Sequence, residues 1–152
     1  ALNIKRTNVQ DFEIVSEDVV FSHNSLVQLK YLSNIKEIAG DFIIENCPNI
    51  TDFSGLDSLK ALGGDFVVQS NEQLTSFDGL KNLVFVRKNF SIANNKSLVN
   101  IEGLTNLKEI KQSLYIQFQD EISDLSGFEN LDEIGGNLML YSNKKIQSFE
   151  GL

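Results

Sequence analysis

Apolar residues fall at a fixed set of positions along this chain, and from Ser33 the set repeats every 24 residues. Copies begin at Ser33, Asp57, Lys81, Thr105 and Glu129. In the copy opened by Asp57 the apolar columns are Leu59, Leu62, Phe66, Val68, Leu74, Phe77 and Leu80. Every position of these columns is large and apolar in all five copies, although only 41% of the chain is hydrophobic. A unit this short can bury its apolar side only against neighbouring copies, so the pattern predicts a solenoid stabilised by stacking along one axis.

The elements follow from the local periods. Asp65–Gln69 alternates Phe66 inward, Val67 outward and Val68 inward, the period of two that marks a strand. Its counterparts open at Asp41, Asn89, Ser113 and Asn137, and stacking sets them side by side as one parallel sheet about 4.8 Å per strand. The remaining apolar residues, from Leu74 through Phe77, Leu80 and Leu83 to Val86, recur every third residue. That spacing predicts a path that keeps turning, through short strands at 74–77 and 83–86 or through 3₁₀ turns. No segment offers an amphipathic helix of ten residues. The expected class is mainly β: a parallel β-helix or leucine-rich-repeat-like solenoid of about six 24-residue coils, roughly 29 Å long.

Polar residues mark the corners. Gly55, Gly79, Gly103, Gly127 and Gly151 fill one column, which calls for a positive φ or a place with no room for a Cβ. Asn46, Asn71, Asn94, Asn95 and Asn143 follow the main strand. Asparagine tolerates a left-handed turn, and stacked amides can bond from coil to coil, so a structural role is expected of them rather than ligand binding.

The whole chain, 1–152, reads as one solenoid domain: an irregular leading edge and first coil over 1–32, then five regular repeats over 33–152. Residues 1–8 match the repeat poorly. In 9–32, Leu26, Leu29 and Leu32 keep their columns, while Asp11 and Asp18 fall where apolar residues belong. A slip near Val19–Phe21 repairs the register, and atypical terminal repeats are expected of solenoids. At the other end, a full-consensus coil finishing at Leu152 would expose its apolar edge. That predicts either a longer array or end-to-end association through the last coil.

Composition narrows the function classes. No run of about 18 apolar residues is present to span a membrane, and no signal-peptide pattern opens the chain, as a trimmed chain would also show. A net charge of −8 argues against nucleic acid. The chain has one histidine, His23, and one cysteine, Cys47. Ser22 and Asp18 near His23 are weak grounds for a catalytic triad, and Cys47 stands in a corner column. Enzymatic β-helices need clustered acid and base residues on an outer face. Of the two outward columns here, only Glu45 is charged. Asp78, Glu102 and Glu150, with Asp52 and Asp124 two columns earlier, invite calcium, but the glycine-rich calcium pattern is absent and solvated turns are favoured. Arg87, Lys88 and Lys111 form a small basic spot. Three N-x-S/T sequons, at Asn49, Asn89 and Asn95, matter only in a secreted eukaryotic chain.

The outer face of the main sheet is the candidate ligand-binding surface. Ile43, Val67, Tyr115, Met139 and Tyr141 point outward, with Phe118 at the adjoining corner. Tyr115, Phe118, Met139 and Tyr141 belong on two adjacent coils, and Tyr, Phe and Met together have the composition of a recognition surface. The alternative is ordinary β-propensity on a solvated strand.

Laid out as L-x-x-I-x-G-D/N-F/L-x-I-x-N-N-x-x-L-x-S-F-x-G-L, the repeat resembles the receptor L-domain family. Leu59, Leu62, Gly64, Phe66, Val68, Asn71, Leu74, Phe77, Gly79 and Leu80 carry the match. The regular, cysteine-poor coils look more like microbial surface proteins than animal receptors, with the internalin-like leucine-rich repeat as the other resemblance. The L-domain resemblance implies a right-handed β-helix in an extracellular, cell-surface setting. The expected function is non-catalytic binding or adhesion to a protein or glycan, without cofactor or metal. The competing expectation is a structural spacer, which needs no aromatic cluster on one face.

Overall fold

The computed structural model describes residues 13–23 and 29–152. The expected leading edge at 1–8, together with Asp11 and Leu26, lies outside those residues. Two six-stranded parallel sheets run the length of the molecule. One holds the long strands β2 (Val19–Ser22), β4 (Phe42–Glu45), β6 (Phe66–Gln69), β8 (Phe90–Ala93), β10 (Leu114–Gln117) and β12 (Leu138–Tyr141). The other holds two-residue strands: β1 (Ile14–Val15), β3 (Glu37–Ile38), β5 (Ala61–Leu62), β7 (Phe85–Val86), β9 (Glu109–Ile110) and β11 (Glu133–Ile134). The chain is therefore a β-solenoid of about five complete turns, counted between the six strands of each sheet. Among the described residues no helix is long and apolar enough to cross a membrane.

Register explains the irregular first coil. From β4 onward, Phe42, Phe66, Phe90, Leu114 and Leu138 stand opposite one another at the repeat spacing, but β2 pairs Val19 with Phe42 and Phe21 with Ile44. The slip expected near Val19–Phe21 is present. It turns Val19 and Phe21 inward, where both are buried, and places Asp18 at the strand's corner. There the Asp18 carboxylate accepts the backbone N–H of Asp41 at 2.7 Å.

The third-residue spacing resolves into short pieces. Leu83–Val86 supplies β7, as expected, whereas 74–77 is not a strand. Isolated contacts link successive coils there: the Thr75 N–H (2.9 Å) and hydroxyl (3.1 Å) both donate to the Thr51 carbonyl. Short 3₁₀ turns occur at Leu29–Leu32 and Glu102–Leu104.

Inside, the phenylalanine columns stack. Phe42 lies on Phe66 (5.3 Å between ring centroids) and Phe66 on Phe90 (4.6 Å), while Phe53 and Phe77 form a second column (4.9 Å) that meets the first edge to face. Edge-to-face and offset pairs suit the ring quadrupole. These five rings are fully buried.

Side-chain ladders close the corners, where the strand ladder leaves backbone N–H groups to be satisfied. Ahead of the long strands, Asp41, Asp65, Asn89 and Ser113 each accept the N–H of the equivalent residue one coil on, at 2.8–3.1 Å. After the strands, Asn71 accepts the Cys47 N–H and Asn95 the Asn71 N–H, both at 3.0 Å, while their amide groups donate to the Ile44 and Val68 carbonyls. Asn143 does the same for Gln119 and Ile116. The structural role expected of Asn71, Asn95 and Asn143 is this ladder. A third column, Asn82, Asn106 and Asn130, donates to carbonyls of the preceding coil at 2.6 Å.

The glycine column has no room for a Cβ in any coil and divides only in its backbone conformation. Gly55, Gly79, Gly127 and Gly151 have φ between +98° and +124°. Gly103 sits in the 3₁₀ turn without a positive φ, and it needs glycine for space alone.

Candidate functional site

The residue just after each long strand turns the backbone into the left-handed region: His23, Asn46, Ser70, Asn94, Phe118 and Ser142 all have φ between +50° and +54°. Asparagine tolerates this conformation and serine is small. A bulky aromatic side chain there is an outlier. The left-handed position is thus one column earlier than Asn71, Asn95 and Asn143, and it is shared by residues of several types. Phe118 keeps 47% of its surface exposed, and its ring meets Tyr141 edge to face at 5.3 Å.

The pairing of β10 with β12 sets Tyr115 opposite Met139 and Gln117 opposite Tyr141, and the Phe118 N–H donates to the Tyr141 carbonyl at 3.0 Å. Four of the expected patch residues therefore lie on two adjacent coils. Met139 and Tyr141 are exposed, and Tyr115 is half-buried. Ile43 and Val67 do not join them. Both are half-buried on β4 and β6, and Ser91 on β8 interrupts the column before Tyr115. A single serine on the intervening strand is enough to divide the face.

One coil breaks the amide ladder. Gln119 stands where Asn71, Asn95 and Asn143 stand in other coils. Its Nε2 donates to the Ile92 and Gln117 carbonyls, but its buried Oε1 has no hydrogen-bond partner. An unsatisfied buried acceptor costs roughly 1–3 kcal/mol. Gln119→Asn should restore the ladder geometry and raise the thermal midpoint by a few degrees, as about 1 kcal/mol does in a chain of this size. A lowered midpoint would contradict the assignment of that corner.

Other candidate chemistry takes structural positions. The Ser22 hydroxyl donates to Glu45 (2.7 Å) and lies 2.9 Å from His23 Nδ1, while Asp18 is at the opposite end of β2 holding the Asp41 N–H. Ser22, His23 and Asp18 thus do not form a triad. Asp52 and Asp124 accept the Ser54 and Ser126 N–H groups at 2.8 and 3.0 Å, capping the turns before the glycine column. Burial pushes the Asp52 carboxyl up, but hydrogen bonds from Ser54 and Thr51 outweigh it and leave it below its ordinary range. Asp124 is lowered by the equivalent bonds from Ser126. Among the described residues no group of three or more His, Cys, Asp or Glu is placed to hold a metal.

The basic spot is partly neutralised. Lys88 lies 3.5 Å from Asp41, and the Glu109 carboxylate raises the Lys111 ammonium above its ordinary value. Of the sequon asparagines, Asn95 is buried and Asn89 is half-buried in the ladder, which leaves Asn49 exposed. The last coil shows its apolar edge: Leu138, Phe149 and Leu152 are exposed, where Leu114, Leu125 and Phe128 one coil earlier are buried.

Comparison with protein-family models, curated proteins and solved structures found no match.

Proposed function

We propose that this β-solenoid is a non-catalytic binding module that recognises a protein or glycan at a cell surface, in an extracellular setting like that of the L-domain proteins its repeat resembles. The carrying observation is Phe118. A left-handed conformation costs an L-residue about 1–2 kcal/mol, and strain of this kind clusters at functional sites. Phe118 recovers little of that cost by burial, since it stays nearly half exposed against Tyr141. With Met139 and Tyr115 beside them, the two rings form an exposed cluster suited to anchoring a partner. The reading calls for no cofactor. It is favoured over catalysis because the one carboxylate of the outward columns, Glu45, is engaged by Ser22. It is favoured over a spacer because a spacer gains nothing from a strained, exposed aromatic residue.

Tyr115→Ala combined with Tyr141→Ala should weaken binding of the labelled chain to intact cells about tenfold or more, since truncated aromatic anchors commonly cost about 2 kcal/mol. The melting temperature should shift little, because neither ring fills the interior. Undiminished cell binding by a folded double mutant would favour the spacer.

A further inference from the structure

Beside the aromatic cluster, three stacked coils form an open trough with a volume of about 470 Å³, walled by Asn94, Lys96, Phe118, Asp120, Asn143 and Lys144. We infer that this trough is a saccharide subsite, selective for a sugar that carries a carboxylate. The inference rests on the binding-module reading above and names its ligand class.

The trough is an open groove on the surface rather than an enclosed cavity. Its lining combines one exposed ring with donors and acceptors of both signs. The negative face of the Phe118 ring suits the weakly positive C–H face of a pyranose. Asn94 donates to the Ser70 hydroxyl at 3.2 Å, and its carboxamide oxygen has no donor among the described residues. Sugar hydroxyls both donate and accept, so they match such mixed groups.

Charge adds the selectivity. Lys144 is paired with Asp120 at 3.0 Å, whereas Lys96 has no ion-pair partner among the described residues. The trough thus carries a surplus positive charge on a chain of net charge −8, and Lys96 is the group left to meet a carboxylate. An extended peptide fits less well. The Phe118 N–H is already bonded to the Tyr141 carbonyl, which leaves main-chain pairing only to the outer edge of β12, the end strand of the sheet.

The test is an amide NMR titration of the full chain with three probes: an oligogalacturonate, a neutral oligosaccharide of equal length, and an oligo-aspartate peptide. The oligogalacturonate should perturb the amides of 94–96, 118–120 and 142–144 and bind most tightly. Lys96→Gln should weaken it about three- to fivefold, the scale of an exposed ion pair, and bring it level with the neutral sugar. Phe118→Asn should weaken both sugars about tenfold or more without lowering the melting temperature, since asparagine already occupies this left-handed column at Asn46 and Asn94. Perturbations elsewhere, indifference to both variants, or equally tight binding of the peptide would overturn the assignment. If the sugars fail to bind while the Tyr115/Tyr141 double mutant still loses cell binding, this subsite is wrong and the sheet-face reading stands.

Discussion

Replacing Phe66 with alanine is expected to destabilise the solenoid by about 3–5 kcal/mol, the range for removing a buried aromatic side chain. Phe66 is the hinge of both ring columns. It stacks between Phe42 and Phe90 and meets Phe53 and Phe77 edge to face. In a stacked array each coil is stabilised by its neighbours, so a cavity here weakens two coil–coil interfaces at once. Against a total stability of about 5–15 kcal/mol, the variant should unfold at a much lower urea concentration. A loss below about 1 kcal/mol would mean the columns are not the packed interior described above.

Gly103→Val should cost at least about 3 kcal/mol, the upper range for overpacking. The reason is contact rather than conformation. A Cβ on Gly103 would lie 2.0 Å from the Phe77 carbonyl oxygen and 2.3 Å from its carbon. Those atoms are backbone of the preceding coil, so they cannot turn aside as a side chain could, and the coils must separate. Ser91→Val is the control. Ser91 is half-buried on the outward face between Val67 and Tyr115, and its replacement should change stability by no more than about 0.5 kcal/mol. Equal melting temperatures for the two variants would remove the corner assignment.

The architecture was legible because inward columns obey one physical demand in every coil. Phe66, Val68 and Leu74 must be apolar whichever copy they belong to, and repetition makes the demand visible. The slip at Val19 was legible for the same reason, since Asp18 cannot occupy an interior column. The corners were only half legible. An asparagine after a strand satisfies both the left-handed turn and the amide ladder, and the pattern does not separate Asn94, which takes the turn, from Asn95, which joins the buried ladder. The ladder of Asp41, Asp65, Asn89 and Ser113 ahead of the strands went unread. Its signal was a column of short side chains with an acceptor oxygen, which looks the same as a row of solvated polar residues.

The candidate site shows the same limit. Burial alternates along β4, β6, β8 and β10, but exposure of the other face depends on neighbours across the sheet. Tyr115 is half-buried beside Met139, and Ser91 cuts Ile43 and Val67 away from the cluster. Gly103 escaped in a different way. Its column suggested positive φ or close approach; close approach holds in every coil and positive φ in all but Gly103, and nothing local marks that exception. Phe118 stood out in the sequence as a phenylalanine where other coils carry Asn or Ser. What the sequence lacked was its left-handed backbone, which turns an odd residue into a costly one.

The central claim is that binding resides in the cluster on the last two long strands. An alanine scan along the outward face and corner, at Ile43, Val67, Tyr115, Phe118, Met139 and Tyr141, tests it directly when each folded variant is measured for binding to intact cells. The account predicts losses confined to Tyr115, Phe118, Met139 and Tyr141, with Ile43 and Val67 near wild type. Losses spread evenly over all six positions, or found at none of them, would contradict it.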